Sequence, residues 1–425
     1  MLTAISRYGA RVLPNTQQII AACRRRGQLV RGPQIEQFEQ AFANRLGEGR
    51  AISASYGRMA FFYILKALQL PRGSEIVFPA LTFWVVPELA RVAGLRPVFA
   101  DIDPKTFNLD PEAFERAITP NTRAVVPTHL FGLPCDMDPL LATARRHRLV
   151  VIEDCAHSLG ARYHGRPVGS FGDASFFSLQ TLKPLNTYGG GMAFVPDSQL
   201  ADRVAAQAAA ETWPEETRVL KRLTIGRLQR IFIRPRVFTF SAFPILWAAS
   251  WFKARPDVYL WESIRPLNPL PSTYRERYSN VQAALGLEGL ALLEDWAQVA
   301  QDHAQIMNQM LSSLPGVNTP YVPPNSSHVY YQYCVYVPDR DDLVRRSIRR
   351  GIDIETLHAD VCTQLTLFKD LWSITPGANR AAAVVQMPVY PALSSSQVRR
   401  IGRQMQRMLS RGSSPAVSVP RASPR

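Results

Sequence analysis

The sequence predicts an α/β fold, in which a mostly parallel sheet is covered by helices on both faces and is followed by a smaller C-terminal α+β domain. The first observation is that short apolar runs alternate with segments of helical periodicity between residues 75 and 196. The second is that these runs are continuously apolar, which is typical of parallel strands buried on both faces. The third is a long amphipathic pattern at 281–314, which separates this region from further strand and helix patterns after Pro315.

Six apolar runs are predicted as strands of the sheet, and three helical segments lie between them. The strands are 75–80, 97–102, 123–130, 149–156, 174–179 and 190–195. The helices are 84–93, 111–118 and 138–148. Asp110 and Pro111 support the second helix, because they combine an N-cap residue with a proline at the first helical position. Strands that alternate with helices indicate crossover connections, and therefore parallel neighbours.

The C-terminal part predicts a smaller domain after the long helix. It contains a strand pattern at 330–338, a helix at 341–350 and a closing helix at 397–409. Residues 411–425 are rich in Ser, Pro and Arg and are predicted to be a disordered tail. The predicted division is an N-terminal helical segment (1–50), the large domain (51–209), a basic and aromatic insertion (210–270), the long helix with the small domain (271–410), and the tail (411–425).

The composition excludes several classes of protein. The chain has 425 residues, of which 46% are hydrophobic and 20% charged, and this excludes general disorder and collagen-like repeats. Its five cysteines contain no Cys-x-x-Cys pair, which argues against a disulfide framework or a zinc finger and fits a reducing compartment. The first residues lack the apolar core of a secretory signal. We therefore expect a cytoplasmic protein without a metal site.

The net charge of +15 is concentrated in two segments of the chain. Residues 218–256 contain nine basic residues and no acid, and residues 371–425 contain eight arginines and no acid. Basic segments of this kind suit an anionic lipid surface or a nucleic acid. No nucleic-acid-binding motif accompanies the charge, so we expect no nucleic-acid partner.

Three short segments contain residue types that are suited to chemistry. They are the turn ASYGRM (54–59), the strand end EDCAHS (153–158), and SLQTLK (178–183), which precedes the glycines at 189–191. In open α/β sheets, ligands bind outside the carboxyl ends of the strands, where all three segments are predicted to lie. Each segment alone is a weak signal, because an acid after a strand is usually a loop residue and a single lysine is usually a solvated charge.

Together the three segments meet the needs of pyridoxal phosphate. Its phosphate group needs a helix N-terminus and hydroxyl donors. Its ring nitrogen needs a carboxylate that keeps the nitrogen protonated, so that the ring can accept electrons. Its aldehyde needs a lysine amine that forms a Schiff base. The turn, the acid and the lysine supply these three requirements.

The chain resembles the DegT/StrS-type family of sugar-nucleotide aminotransferases over most of residues 31–409, apart from about 210–267. The markers are RGPQIEQFEQAFANRLG (31–47), FPALTF (78–83), the runs 97–140 and 151–183, RYSNVQAALGLEGL (277–290) and GIDIETLH (351–358). The resemblance implies the aspartate-aminotransferase fold (fold type I), in which the large domain has a mostly parallel seven-stranded sheet. It also implies pyridoxal 5'-phosphate as cofactor and a homodimer whose subunits both contribute to each site.

The resemblance assigns roles to individual residues. Lys183 matches the Schiff-base lysine, which also moves a proton between the substrate carbon and the cofactor. Asp154 matches the carboxylate paired with the ring nitrogen, and His157 matches a position beside the ring. The remaining cofactor-binding positions are Phe83, stacked on the ring, Ser178, a phosphate-binding hydroxyl, and Gly57 and Arg58, in the phosphate-binding turn. For Phe83, simple core packing is the alternative.

The chain departs from the family pattern at the phosphate. The family usually has Gly-Thr where this chain has Gly57-Arg58, and it usually has an Asn from the neighbouring subunit where Arg275 aligns. We expect the two arginines to replace two neutral donors, because a guanidinium suits a phosphate dianion. Pro184 follows the lysine where Asn is common. Lys183 itself is present, whereas some family members have histidine there and are dehydratases.

The resemblance to the family is absent at about 210–267. The centre of this segment is rich in basic and aromatic residues. Residues 237–252 are 16 uncharged residues interrupted by Pro244, which is too short for a simple membrane span of about 20 apolar residues. Aromatic residues flanked by arginines are typical of a segment that lies in a membrane interface. We expect residues 227–252 to contact an anionic membrane on its inner face. The alternative is a buried hairpin or a dimer-interface insertion with a rim of solvated arginines.

The sequence thus predicts a PLP-dependent aminotransferase that transfers an amino group to the ketone of a nucleotide-linked or lipid-linked sugar. Glutamate is the expected donor, and cell-surface polysaccharide or secondary-metabolite biosynthesis is the expected pathway. One alternative is a non-catalytic regulator or membrane scaffold with this fold. The Lys183–Asp154 pair argues against it, whereas the altered phosphate residues favour it. A second alternative is a PLP-dependent sugar deaminase or dehydratase, which the presence of Lys183 disfavours.

Overall fold

The structure is a computed structural model that describes residues 3–9, 11, 13–252, 263–357, 359–371 and 373–410. The predicted tail, 411–425, lies outside the described residues. The same holds for Lys253 and Arg255 of the predicted insertion and for His358, the last residue of one family marker.

The described residues form fifteen strands and fifteen α-helices. The strands are β1 (Arg50–Ala54), β2 (Glu75–Pro79), β3 (Leu81–Thr82), β4 (Arg96–Ala100), β5 (Thr122–Val125), β6 (Val150–Asp154), β7 (Arg162–Tyr163), β8 (Arg166–Pro167), β9 (Ala174–Ser178), β10 (Gly191–Val195), β11 (Ser326–Ser327), β12 (Tyr333–Tyr336), β13 (Glu355–Thr356), β14 (Asp360–Val361) and β15 (Val384–Met387). The helices are α1 (Thr16–Arg25), α2 (Gln34–Leu46), α3 (Gly57–Leu68), α4 (Val85–Val92), α5 (Pro111–Arg116), α6 (Met137–His147), α7 (Ser198–Ala209), α8 (Glu216–Phe232), α9 (Pro235–Phe240), α10 (Phe243–Phe252), α11 (Asn280–Ala291), α12 (Leu293–Leu311), α13 (Arg340–Arg349), α14 (Pro376–Ala381) and α15 (Ser395–Leu409).

The central sheet has seven strands in the order β1-β10-β9-β6-β5-β2-β4. The neighbours from β9 to β4 are parallel, whereas β10 runs antiparallel to both strands beside it. Successive residues of one strand face opposite sides: Ile76 and Phe78 pack in one core cluster, and Val77 packs in another with Phe114 and Leu140. The predicted mostly parallel seven-stranded sheet, with helices on both faces, is therefore confirmed.

The smaller unit is built around a three-stranded sheet in the order β12-β15-β13. Its core joins residues of α12, α13 and α15, such as Met307, Leu343 and Ile401, to the strand residues Val335 and Val385. The closing helix α15 has a capping box at its N-terminus, where Ser394 and Gln397 exchange hydrogen bonds with each other's backbone.

Several predicted elements differ from the structure in their bounds; the strand predicted at 330–338, for example, is confined to Tyr333–Tyr336. Two of the differences have a clear physical reason. The helix expected at 281–314 is two helices, α11 and α12, which meet at Leu292. They separate because α11 packs on α2, with Gly286 against Phe38, whereas α12 packs on α15. The strand expected at 123–130 ends at Val125, because Pro127 has no N–H to donate to the sheet.

The described part of the predicted insertion contains three successive helices, α8, α9 and α10. Phe238 and Leu246 anchor α9 and α10 to the core of the smaller unit. Because Phe240, Ile245 and Phe252 are exposed, the described segment is not a buried hairpin. Many of its other apolar side chains are exposed. None of the helices in the described parts of the chain is both long enough and apolar enough to cross a bilayer.

Candidate active site

Asp154 is the last residue of β6, at the carboxyl edge of the central sheet. Its backbone is in register with Phe176 of β9, and its side-chain Oδ1 accepts a hydrogen bond of 3.0 Å from the Ala156 N–H. Burial raises the pKa of Asp154 to about 6, although the Ala156 hydrogen bond and the nearby Lys183 act in the opposite direction. A carboxylate in this position can hold a positively charged group inside the protein.

Lys183 lies in the loop between β9 and β10, where its backbone N–H donates to the Gln180 carbonyl at 2.9 Å. Burial lowers the pKa of Lys183 to about 7; Asp154 opposes this shift, and the positive charge of Arg58 adds to it. A substantial fraction of the amine is therefore neutral near pH 7. Only the neutral amine is a nucleophile, so the site makes this lysine reactive toward an aldehyde or ketone.

Tyr331 joins Lys183 to His157. The Lys183 Nζ lies 4.7 Å from the centroid of the Tyr331 ring, and the His157 ring lies 4.3 Å from it, centroid to centroid. The backbone N–H of Phe131 donates to His157 Nδ1 at 3.3 Å and so fixes the orientation of the imidazole. Tyr331 was not predicted as a site residue, because the aromatic residues around it, HVYYQY (328–333), are typical of an ordinary buried strand.

Gly57 begins α3 directly beside Ser178, at the end of β9. A Cβ at residue 57 would lie 2.8 Å from the Phe177 carbonyl oxygen and 3.0 Å from the Ser178 Cα. A Cβ at Gly191 would lie 2.2 Å from the Gly57 nitrogen, so the two glycines allow β10 and the start of α3 to touch. No side chain caps this helix at Tyr56, and its first turn can therefore receive an anion.

Arg58 lies among aromatic rings in the first turn of α3. Its guanidinium is 5.3 Å from the Phe83 ring centroid, 5.7 Å from that of Tyr56 and 5.1 Å from that of Tyr274. It also donates a hydrogen bond to the Tyr274 hydroxyl. The structure thus brings together the predicted residues Arg58 and Phe83.

Arg275 is separated from this group. Its side chain is 62% exposed and its Nε lies 3.3 Å from the Glu211 carboxylate. The backbone around it is nevertheless close to the turn, because the Ser55 hydroxyl donates to the Tyr274 carbonyl. The contact predicted for Arg275 is with a neighbouring subunit, and it remains a prediction.

Glu153, next to Asp154, is the centre of a second buried cluster. Its carboxylate accepts hydrogen bonds from the N–H groups of Gly169 (2.7 Å), Phe171 (2.6 Å) and Gly172 (2.8 Å). His129 Nε2 lies 3.0 Å from the same carboxylate. Cys155 completes a set of three potential metal ligands. Because both carboxylate oxygens are already engaged, the arrangement fits a hydrogen-bonded support for β6 better than a metal centre.

Comparison with known proteins decides the family. A family model described as the DegT/DnrJ/EryC1/StrS aminotransferase family matches residues 13–228 and 253–406. The chain belongs to this family. The unmatched residues 229–252 contain α9 and α10, so the departure from the family pattern is narrower than the predicted 210–267.

Curated relatives and solved structures agree with this membership. The chain is 32% identical over 383 residues to the spore coat polysaccharide biosynthesis protein SpsC of Bacillus subtilis, covering 88% of each chain. It is 31% identical over 320 residues to the GDP-perosamine synthase of Caulobacter vibrioides, covering 75% of this chain and 73% of the relative. The aminotransferase TlmJ from Streptoalloteichus hindustanus superposes with a TM-score of 0.77 at 25% identity, covering 96% and 99% of the two chains.

Membership in the DegT/DnrJ/EryC1/StrS family confirms the predicted PLP-dependent aminotransferase and its fold. The residues present also fit pyridoxal phosphate on structural grounds. A half-buried lysine with a lowered pKa and a buried carboxylate lie at one sheet edge. The uncapped start of α3, with Ser178 beside it, offers a place for the phosphate.

Proposed function

We propose that this chain transfers an amino group from glutamate to the ketone of a nucleotide-linked or lipid-linked sugar. The observation that carries the proposal is the pair of half-buried Lys183 and buried Asp154, whose pKa values are about 7 and about 6. The similarity to the GDP-perosamine synthase supports a sugar as the acceptor. We further propose that the product enters cell-surface polysaccharide or secondary-metabolite biosynthesis, in line with the similarity to SpsC.

Each residue of the site has a proposed task. When bound, pyridoxal phosphate supplies an electron-accepting ring and carries the amino group between donor and acceptor. Asp154 would keep a proton on the ring nitrogen by its negative charge. Lys183 would attach the cofactor through its amine and would move a proton at the substrate carbon. His157 and Phe83 would contact the cofactor ring, and Tyr331 shields Lys183 from water.

The phosphate is assigned to the start of α3. The amide groups of its first turn, the Ser178 hydroxyl and the Arg58 guanidinium would hold it. We propose that the enzyme is a homodimer and that Arg275 reaches the phosphate bound by the neighbouring subunit. Mixing a Lys183→Ala subunit with an Arg275→Ala subunit tests this arrangement, because one intact site then forms in each mixed dimer. Recovered activity is expected; no recovery in demonstrably mixed dimers would contradict a shared site.

An absorption spectrum of the purified protein tests the transamination. Wild type and Lys183→Ala are compared before and after addition of glutamate. We expect a band at about 410–430 nm that disappears on addition of glutamate in wild type only. A protein that binds no pyridoxal phosphate would instead support the regulator or scaffold.

We also propose that residues 227–252, mainly through α9 and α10, place the enzyme on the surface of an anionic membrane. Three apolar side chains of α9 and α10 protrude strongly: Phe252 is 89%, Phe240 75% and Ile245 73% exposed. Arg234 and Arg236 are exposed beside them. Apolar side chains rimmed by arginines suit the interface of an anionic bilayer, where each basic residue contributes about 1 kcal/mol.

Some basic residues of the predicted insertion contact other parts of the protein and are not available for a membrane. Arg218 pairs with Glu276, Arg222 donates to the Tyr56 hydroxyl at 3.2 Å, and Arg230 donates to the Tyr188 hydroxyl. These arginines attach α8 to the loops of the active site. The membrane contact therefore rests on the outer residues of the segment, on α9 and α10.

Flotation with vesicles tests the membrane contact. The variant Phe240→Ala/Ile245→Ala/Phe252→Ala removes three exposed apolar side chains, and Tyr321→Ala/Ile374→Ala removes exposed ones elsewhere as the control. We expect wild type and control to float with phosphatidylserine vesicles and the triple variant to remain in solution. If wild type does not bind and the triple variant instead loses its dimer by light scattering, the face is a subunit interface.

A further inference from the structure

Arg11 is a buried cation without a partner among the residues that the structure describes. It is 6% exposed, and no described residue forms an ion pair or hydrogen bond with its guanidinium. Burial lowers the pKa of Arg11 to about 10, so the group is still charged at neutral pH. An unpaired buried charge is unfavourable, and proteins normally pair such a group or use it to bind a ligand.

The surroundings of Arg11 form a pocket with further unsatisfied groups. Its walls include Leu182, Tyr331, Gln332 and Gln386. The side-chain carbonyl oxygens of Gln332 and Gln386 are buried and have no hydrogen-bond partner. The pocket therefore offers a positive charge together with two acceptors, an arrangement that is complementary to a carboxylate next to an ammonium or hydroxyl group.

The other charged groups of this region, Arg7, Asp353 and Glu355, are already engaged with one another. Arg7 pairs with Asp353 through two contacts, one of them 2.9 Å, and lies 3.7 Å from Glu355. The Glu355 carboxylate accepts a hydrogen bond from the Tyr8 hydroxyl. With Arg11 the region holds two positive and two negative charges, but no described acid lies within 4 Å of the Arg11 guanidinium, which lines the pocket.

The pocket adjoins the catalytic lysine. Leu182 precedes Lys183 in the chain, and Tyr331, which lines the pocket, has its ring 4.7 Å from the Lys183 Nζ. A molecule that reacts at Lys183 can therefore extend past Tyr331 toward Arg11. A guanidinium binds a carboxylate through two parallel hydrogen bonds, and burial strengthens this interaction.

We propose that Arg11 is a substrate-binding residue that anchors a substrate carboxylate, with Gln332 and Gln386 accepting hydrogen bonds from its hydroxyl or ammonium groups. This inference rests on the proposed aminotransferase function. The carboxylate has two sources, the amino-acid donor or an acidic sugar acceptor. The two reactants enter in separate half-reactions, so they can be tested apart.

Binding of unreactive acids gives a readout that is independent of turnover. The holoenzyme is titrated with glutarate or with glucuronate by calorimetry, in wild type, Arg11→Gln, Arg11→Lys and the exposed control Arg25→Gln. We expect one of the two acids to bind wild type and the control at least about 10-fold more tightly than Arg11→Gln, because a charged hydrogen bond is lost. Arg11→Lys is expected to be intermediate, since it retains the charge but not the fork.

The glutamate half-reaction, followed by loss of cofactor absorbance, assigns the source. If Arg11→Gln slows it about 10-fold or more at low glutamate while wild type and Arg25→Gln react normally, Arg11 binds the donor. If only glucuronate binding is lost, Arg11 binds the acceptor. Unchanged binding of both acids and an unchanged half-reaction in Arg11→Gln would overturn the inference. Failure of wild type itself to react with glutamate would instead count against the proposed function, and the binding data would still decide the role of Arg11.

Discussion

Tyr331 and Lys183 are 148 positions apart in the chain, yet the lysine Nζ lies 4.7 Å from the centre of the tyrosine ring. The ring belongs to the segment that leads into β12 of the smaller unit, whereas the lysine follows β9 of the central sheet. The ring thus shields the lysine from water. Its centroid also lies 4.3 Å from the centroid of the His157 ring. The contact couples the smaller unit to the reactive amine.

Replacing Tyr331 by Ala should raise the pKa of Lys183 toward its usual value of about 10.4, because burial is the main cause of its low pKa. Loss of the ring also removes a favourable cation–π contact, but that effect is smaller than renewed hydration. The rate at which the apoprotein rebinds pyridoxal phosphate should then rise only at higher pH. Tyr331→Phe, which retains the ring, serves as the control. An unchanged pH midpoint in Tyr331→Ala would contradict shielding by the ring.

Replacing Asp154 by Asn should slow transamination by about 10²–10³-fold, because a neutral amide does not stabilise charge on the cofactor ring. The variant should still bind the cofactor and show its absorption band, since Lys183 is intact. Single-turnover absorbance measurements with glutamate would establish the difference. A rate within a factor of about three of wild type would remove the proposed role of Asp154.

Replacing Arg58 by Ala should increase the dissociation constant for the cofactor about 10-fold or more, through loss of a charged contact with the phosphate. Arg58→Thr, which restores the usual family residue, should lie closer to wild type. Lys66→Ala, at an exposed position of the same helix, is the matched control. Arg275→Ala should weaken retention only in the dimer. Retention of the cofactor on gel filtration, measured by absorbance, would show which of the two arginines, Arg58 or Arg275, contributes to binding of the phosphate.

Replacing Glu153 by Gln should lower the free energy of unfolding by about 1–3 kcal/mol, because an amide would leave at least one buried N–H donor without an acceptor. The carboxylate now accepts from three backbone N–H groups and lies 3.0 Å from His129. Glu112→Gln, at an exposed ion pair with Arg116, should change stability by less than about 0.5 kcal/mol. Urea unfolding of the three proteins tests this, and equal effects of the two substitutions would exclude a supporting role for Glu153.

Replacing Lys183 by Met should stabilise the apoprotein most at low pH. The pKa of Lys183 is about 7 in the folded state and about 10.4 in the unfolded state, so the unfolded state binds more protons between these values. The desolvated lysine therefore destabilises the fold fully below about pH 7, and this effect fades as the pH rises toward 10. Thermal melts from pH 6 to 10 should show a gap between variant and wild type that narrows with pH. The same melts are recorded after Asp154→Asn is introduced into wild type and into Lys183→Met. This substitution removes the carboxylate charge that partners Lys183.

The sequence alone determined the class of fold, the family and the residues of the cofactor site that lie in contiguous motifs. Strand and helix periodicity arises from local backbone geometry, and Asp154 and Lys183 stand at strand ends that can be located from one stretch of chain. The capped helix α5, begun by Asp110, has the same local origin.

Tertiary structure alone decided which distant groups meet and which charges have partners. The bend at Leu292 arises because α11 and α12 pack on different helices, which periodicity does not record. Arg218, Arg222 and Arg230 belong to a basic run in the sequence, yet each finds a partner in the fold. Arg11 belongs to no motif, yet it is a buried cation for which no described residue supplies a partner. The partners of charged side chains depend on packing between distant segments of the chain, whereas sequence motifs and secondary-structure periodicity depend on neighbouring residues.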